Sequence, residues 1–187
     1  MKLWICLLAG FAVGAVAIAQ DFDLASKMIN TKTNGTWYVQ PEKPKAQHIK
    51  ADVMGGYAFR VKAHKGVNPW DVQASSPVDG AINQGDVVVI MYYARAEKAA
   101  EGGSSLTARI QMNSAPWTST LETTNKISGD WVKYCAARKA TATLAEKKGS
   151  VSIHLATAEQ IIDLGPVFVF NLGPNFDPKS LGDSCGA

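Results

Sequence analysis

Apolar and polar side chains alternate along this chain in short runs broken by Gly, Pro, Asn and Asp, which is the pattern of a sandwich or barrel of strands. After the Gly55-Gly56 turn, Tyr57, Phe59, Val61 and Ala63 fall on one face, with Arg60, Lys62 and His64 opposite, predicting a half-buried strand. The Asn83–Asp86 turn leads into Val87–Ala96, which is apolar on both faces and so predicts a central strand covered on both sides. Leu106–Asn113 alternates strictly: Leu106, Ala108, Ile110 and Met112 point one way, and Thr107, Arg109, Gln111 and Asn113 the other. Trp131–Ala137, Val151–Leu155 and Val167–Leu172 bring the total to at least six strands, with Val151, Ile153 and Leu155 turned inward and Ser152 and His154 outward. Helical segments are expected only at Asp23–Asn30 and as a turn over Ala156–Ile161.

Many strands without crossover helices predict an all-β chain, an antiparallel β-sandwich of the jelly-roll kind. A closed up-and-down barrel would need a continuous meander, and the long irregular segment 66–84 argues against one. Residues 1–19 stand apart. Met1-Lys2 supplies one positive charge, Leu3–Ile18 carries none, and Ala17-Ile18-Ala19 is a small-x-small cleavage site followed by Gln20-Asp21. This predicts a cleaved signal peptide and a single domain over residues 20–187 of a secreted or periplasmic protein. The alternative, an N-terminal anchor, fits less well, because the apolar run falls short of the roughly 20 residues of a spanning helix. No membrane span is expected after cleavage.

Composition narrows the function mainly by exclusion. At 47% hydrophobic and 19% charged, the 187-residue chain can bury a core and is not disordered. Its net charge of +3, or +2 without Lys2, is not gathered into a basic stripe, so no nucleic-acid partner is expected. Cleavage would also remove Cys6, leaving Cys135 and Cys185. In an oxidising compartment these two can form a disulfide; otherwise Cys135 is a buried thiol and Cys185 lies in a frayed tail. The cysteines and His48, His64 and His154 show no metal-ligand spacing, and no metal site is expected.

The informative surface is the polar face. If the central strand and its alternating neighbours share one sheet, Tyr93, Arg95, Arg109, Gln111, Asn113 and His154 form a single surface of rings, amides and guanidinium groups. Sugars suit such a surface, since their hydroxyls need paired donors and acceptors and their ring faces need aromatic platforms. Trp37, Trp70 and Trp117 lie in loop-like segments near Gly or Pro, where binding residues are commonly presented. The same face also fits a merely solvated one, and the tryptophans fit core plugs under loops. No Gly-x-Ser-x-Gly elbow, His-Glu-x-x-His motif or phosphate loop is present. Asp71, Asp79, Asp86, Glu97, Glu101, Glu122, Glu159 and Asp163 could pair in space for glycoside hydrolysis, but nothing selects a pair.

Several segments together resemble the CenC-type carbohydrate-binding modules of families 4 and 9, which are jelly rolls of the galactose-binding-like kind. They are Gly55–Val61, Asn68-Pro-Trp-Asp-Val-Gln73, Gly85–Ala96, Ala108–Asn113 leading into Ala115-Pro-Trp117, Trp131–Tyr134, Val151–Leu155, Gln160-Ile-Ile-Asp-Leu-Gly165 and Val167–Gly173. The resemblance spans roughly residues 50–175, and the Gly-Asp-strand-Tyr-Ala-Arg-Ala and Gln-x-x-Asp-x-Gly pieces are its most distinctive parts. It implies non-catalytic binding of a polysaccharide or oligosaccharide on a concave sheet. By position it implicates Tyr93, Arg95, Arg109, Gln111, Asn113 and His154, with Trp117 and Gln160 at the rim. Such modules often accompany a glycoside hydrolase domain; here the module fills residues 20–187, so a hydrolase partner would be a separate chain. Many also hold a structural calcium, but the usual acidic ligands near the N-terminus are not recognisable, so no cofactor is assigned and calcium stays open. Two other functions remain: a glycoside hydrolase or its accessory subunit, and a structural envelope protein that has lost sugar binding.

Overall fold

The computed structural model describes residues 23–31, 37–41, 46–182 and 185. The expected signal peptide lies outside them. Ten strands follow one another: β1 (Tyr38–Gln40), β2 (Ala46–Lys50), β3 (Tyr57–Ala63), β4 (Gln73–Val78), β5 (Val87–Lys98), β6 (Ser104–Met112), β7 (Ser119–Ile127), β8 (Val132–Lys139), β9 (Gly149–His154) and β10 (Gln160–Gly173). They form two antiparallel sheets of five strands, in the orders β1-β4-β9-β6-β7 and β2-β3-β10-β5-β8. The fold is the expected all-β sandwich. Among the described residues the only helical pieces are short 3-10 turns at Ala25–Lys27, Pro69–Asp71 and Pro178–Leu181. The helix expected at Asp23–Asn30 thus shrinks to three residues, and Ala156–Ile161 is a turn running into β10. The segment 66–84 is not irregular throughout, since it contains β4. No helix among the described residues is long and apolar enough to cross a membrane.

Period-two alternation builds the core between the sheets. Val88, Ile90, Tyr92 and Ala94 of β5 meet Leu106, Ala108 and Ile110 of β6 and Val151 and Ile153 of β9, all of them buried. Tyr92 is fully buried; its hydroxyl accepts from Asn125 Nδ2 at 3.1 Å and its ring stacks on Tyr134 at 5.4 Å. Val87 and Val89, on the other face of β5, join Ala137, Phe170, Leu172 and Cys185 in a second apolar cluster, against which Leu24, Phe176 and Leu181 pack. The chain after β10 therefore folds back over the outside of its own sheet, and a Cys135–Cys185 disulfide fastens it there.

The outer face of the same sheet carries an ion network above this cluster. Asp163 of β10 is fully buried and lies opposite Arg60 on β3 and Arg95 on β5. It accepts from Arg60 Nε at 2.7 Å and Nη2 at 2.9 Å, and from Arg95 Nε at 2.9 Å. Glu97 closes the ring, at 3.0 Å from Arg60 and 2.8 Å from Arg95. Two guanidinium groups on one carboxylate compensate its desolvation, so removing either would leave two carboxylates to share one guanidinium and would weaken that compensation.

Two stability predictions follow from this packing. Tyr92→Ala should cost about 3–5 kcal/mol, the range for truncating large core aromatics, read by chemical denaturation. An unchanged midpoint would mean the ring is not in the core. The disulfide joins residues 50 apart. In a chain lacking residues 1–19 it should leave no reactive thiol after denaturation, and its reduction should cost up to about 4 kcal/mol on the chain-entropy estimate. Two thiols titrating without reductant would contradict the bridge.

Candidate functional site

β9 is the middle strand of the β1-β4-β9-β6-β7 sheet, and strand register lays the outer side chains of that sheet in rows. Gln40, Gln73, His154, Thr107 and Thr124 make one row. Tyr38, Ser75, Ser152, Arg109 and Glu122 make the next. Pro77, Ser150, Gln111 and Ser119 make the third. A groove of about 600 Å³ runs over this face, floored by Gln73, Arg109, Gln111 and His154 and flanked by Gln40, Trp70, Pro116 and Trp117.

Local sequence sets the walls. Asn68-Pro69-Trp70-Asp71 forms a 3-10 turn in which the Asp71 carboxylate accepts from the Asn68 backbone N–H at 2.9 Å, so Pro69 and the cap fix Trp70 at the mouth. Gly66 is packed against this cap, where a Cβ would come within 2.7 Å of Asp71. Across the groove, the β6–β7 turn closes through Trp117 N–H to Ser114 O at 2.9 Å. Trp117 itself sits at φ 58°, a left-handed conformation uncommon for a bulky residue. Trp70 and Trp117 are each 52% exposed.

The floor is already wired. Ser152 Oγ donates to Gln73 Oε1 at 2.7 Å, and Gln73 Nε2 donates to Gln40 Oε1 at 3.3 Å, holding the amides across three strands. Trp70 meets the His154 ring edge-on at 5.9 Å. His154 is buried, and burial followed by the Arg109 guanidinium holds its imidazole below the ordinary range, with Glu122 acting in the opposite sense. At neutral pH it is a neutral ring that both donates and accepts. Arg109 Nε lies 3.0 Å from Glu122 Oε2.

Of the residues singled out in the sequence, Arg109, Gln111, His154, Trp70 and Trp117 converge on this groove. The others do not. Tyr93 and Arg95 belong to β5 in the opposite sheet, where Arg95 is committed to Asp163 and Glu97 and lies 5.3 Å from the centre of the Trp131 ring. Trp37 is buried in the core, donating to Gly165 O at 2.9 Å. Gln160 is buried too; its Nε2 donates to Leu155 O at 2.9 Å and ties β9 to β10, away from any rim. Asn113 is exposed just past β6 and donates to Lys147 O at 3.0 Å. Gln40, Gln73 and Pro116 were missed. Gln73 was legible in principle, because Gln73, Ser75 and Pro77 alternate with the buried Ala74, Ser76 and Val78. Among the described residues, no group of three or more His, Cys, Asp or Glu side chains could hold a metal ion.

No family profile and no curated protein matches this chain. Solved structures do. A CBM4 module aligns over 72% of this chain and 86% of its own at 18% identity and a TM-score of 0.53. The N-terminal cellulose-binding domain of Cellulomonas fimi β-1,4-glucanase C aligns over 75% and 93%, also at 18% identity and 0.53. The CBM22-1–GH10 modules of Clostridium thermocellum endo-1,4-β-D-xylanase 10B, complexed with xylohexaose, align over 80% of this chain and 29% of theirs at 13% identity and 0.54. At such identities the likeness is one of fold: this chain has the jelly-roll fold that those modules have.

His154 makes the site sensitive to acid in one direction. The folded state favours the neutral ring, while the unfolded chain takes up the proton near the ordinary histidine value of 6.5. Stability is therefore lost as pH falls from about 6.5 through the lowered folded value, and is flat in this respect above it. Wild type should lose stability relative to His154→Gln over that window. Parallel stability curves down to pH 5 would contradict it.

Proposed function

We propose that this protein is a secreted or periplasmic, non-catalytic module that binds a polysaccharide or oligosaccharide in the groove between Trp70 and Trp117. One observation carries the reading: two half-exposed indoles flank a largely buried floor of amide, imidazole and guanidinium groups, with the Gln73 amide and the flanking Gln40 amide already oriented. Indole faces can cover sugar C–H surface, and the floor can exchange hydrogen bonds with hydroxyls. Prior orientation lowers the entropy cost of binding. The similarity to a cellulose-binding domain and to a xylohexaose complex supports the same class of ligand. The signal-like residues 1–19 support export.

Binding without hydrolysis is supported by the groove lining, which contains no carboxylate among the described residues. Glycoside hydrolysis needs two, about 5 to 9.5 Å apart. Asp71 is engaged in capping Asn68, and Glu122 faces Arg109 from β7.

The experiment is titration of the purified protein with soluble glycans, with a reducing-end assay on the same mixtures. Trp70→Ala and Trp117→Ala should each weaken binding by about tenfold or more, equivalent to ~1.4 kcal/mol, without moving the melting temperature. Tyr93→Ala, on the other sheet, should bind as wild type does. No reducing ends should appear. Saturable binding that survives loss of both indoles, or hydrolysis abolished by replacing one Asp or Glu, would sink the proposal.

A further inference from the structure

Resting on that reading, we propose that the groove selects an acidic glycan, a chain bearing hexuronate carboxylates, and that Arg109 anchors the carboxylate while Gln111 reads a hydroxyl of the same sugar. Among the described residues lining the groove there is one formal charge, the Arg109 guanidinium, and no anion. Its present partner, Glu122, lies outside that lining on the neighbouring strand, and its side chain is 55% exposed against 21% for Arg109. Arg109 Nε is buried and, although 3.0 Å from Glu122 Oε2, forms no aligned hydrogen bond. With its Glu122 partner solvent-exposed and poorly aligned the pair contributes little, so a carboxylate arriving from the groove can displace Glu122 at small cost. Guanidinium recognition of a planar carboxylate is directional and paired, which suits a sugar acid better than a neutral hydroxyl.

Gln111 supplies the second contact. Its residue is 6% exposed, its Oε1 is buried, and that oxygen has no hydrogen-bond partner. An unmet buried acceptor on a groove floor calls for a donor, and a sugar hydroxyl is one. Gln111 is two residues beyond Arg109 on β6, so both side chains share the outer face at a spacing of about 7 Å. That is roughly the span of one hexuronic acid ring, with the carboxylate at one edge and ring hydroxyls at the other. The neighbouring His154 is held neutral partly by Arg109, so it does not duplicate the cation but adds a donor and acceptor for further hydroxyls.

The test compares each acid with its own neutral isostere on wild-type protein. Oligogalacturonate, oligomannuronate, oligoguluronate and oligoglucuronate are titrated beside their methyl esters, with cello- and xylo-oligosaccharides as neutral chains. At least one acid should bind tenfold or more tighter than its ester at low salt, with the advantage narrowing as salt screens the charge. Arg109→Gln should erase the acid–ester difference, Arg109→Lys should retain part of it, and Gln111→Leu should weaken acid and ester alike. Acid and ester binding equally, or neutral oligosaccharides binding tighter than any acid, overturns the acidic preference and leaves the groove a glycan site. If no glycan of either kind binds, both readings fall.

Discussion

Two five-stranded sheets can share one core only if every strand turns one face inward, and the rest of this molecule follows from how the other faces are disposed of. In the β5–β10 sheet much of the outer face is not left to solvent. Its lower part is covered by the chain's own C-terminal segment, and its upper part is filled by the Arg60–Asp163–Arg95 network. In the β9 sheet the outer face has neither cover. What remains there is polar, and it is sunk between two loops that each raise an indole.

Alternation within a strand was readable because it depends only on local spacing. β6 and β9 bury the residues that their sequence selects, Leu106, Ala108 and Ile110 in one and Val151 and Ile153 in the other, and show Arg109, Gln111, Ser152 and His154 outward. The apolar outer face of β5 likewise announced cover on both sides. Which strands pair is a different matter. Arg95 is placed by Asp163, 68 positions further along the chain, and nothing in the local pattern of β5 says that its sheet excludes β6 and β9. Sorting Tyr93 and Arg95 with Arg109 therefore joined two faces that point away from each other. β4 and β7 escaped for a simpler reason. Gln-Ala-Ser-Ser-Pro-Val and Ser-Thr-Leu-Glu-Thr-Thr-Asn-Lys-Ile are short of large apolar residues, so their alternation is carried by Ala, Ser and Thr.

The most distinctive stretch of the chain, Gln160-Ile-Ile-Asp-Leu-Gly165, is scaffold rather than site. Gln160 holds the β9–β10 turn, Asp163 takes two guanidinium groups, and Gly165 lets Trp37 donate to its carbonyl. Only glycine fits that last position: a Cβ there would come within 2.9 Å of Tyr93 Cβ and 3.1 Å of Val53 Cγ2. Three buried polar requirements within six residues constrain sequence more tightly than a groove does. A motif can therefore be the clearest mark of a fold while touching no ligand.

The division between a sealed sheet and an open one also bears on how such a chain can change over generations. On the sealed side, substitution within the covered cluster or the ion network opens a cavity or strands a charge, and the fold would reject it. On the open side, Gln40, Trp70 and Trp117 sit over finished backbone, where replacement of a side chain away from core contacts typically shifts stability by only about 0.5 kcal/mol. The surface of the groove can therefore change its chemistry while the scaffold beneath it is held fixed.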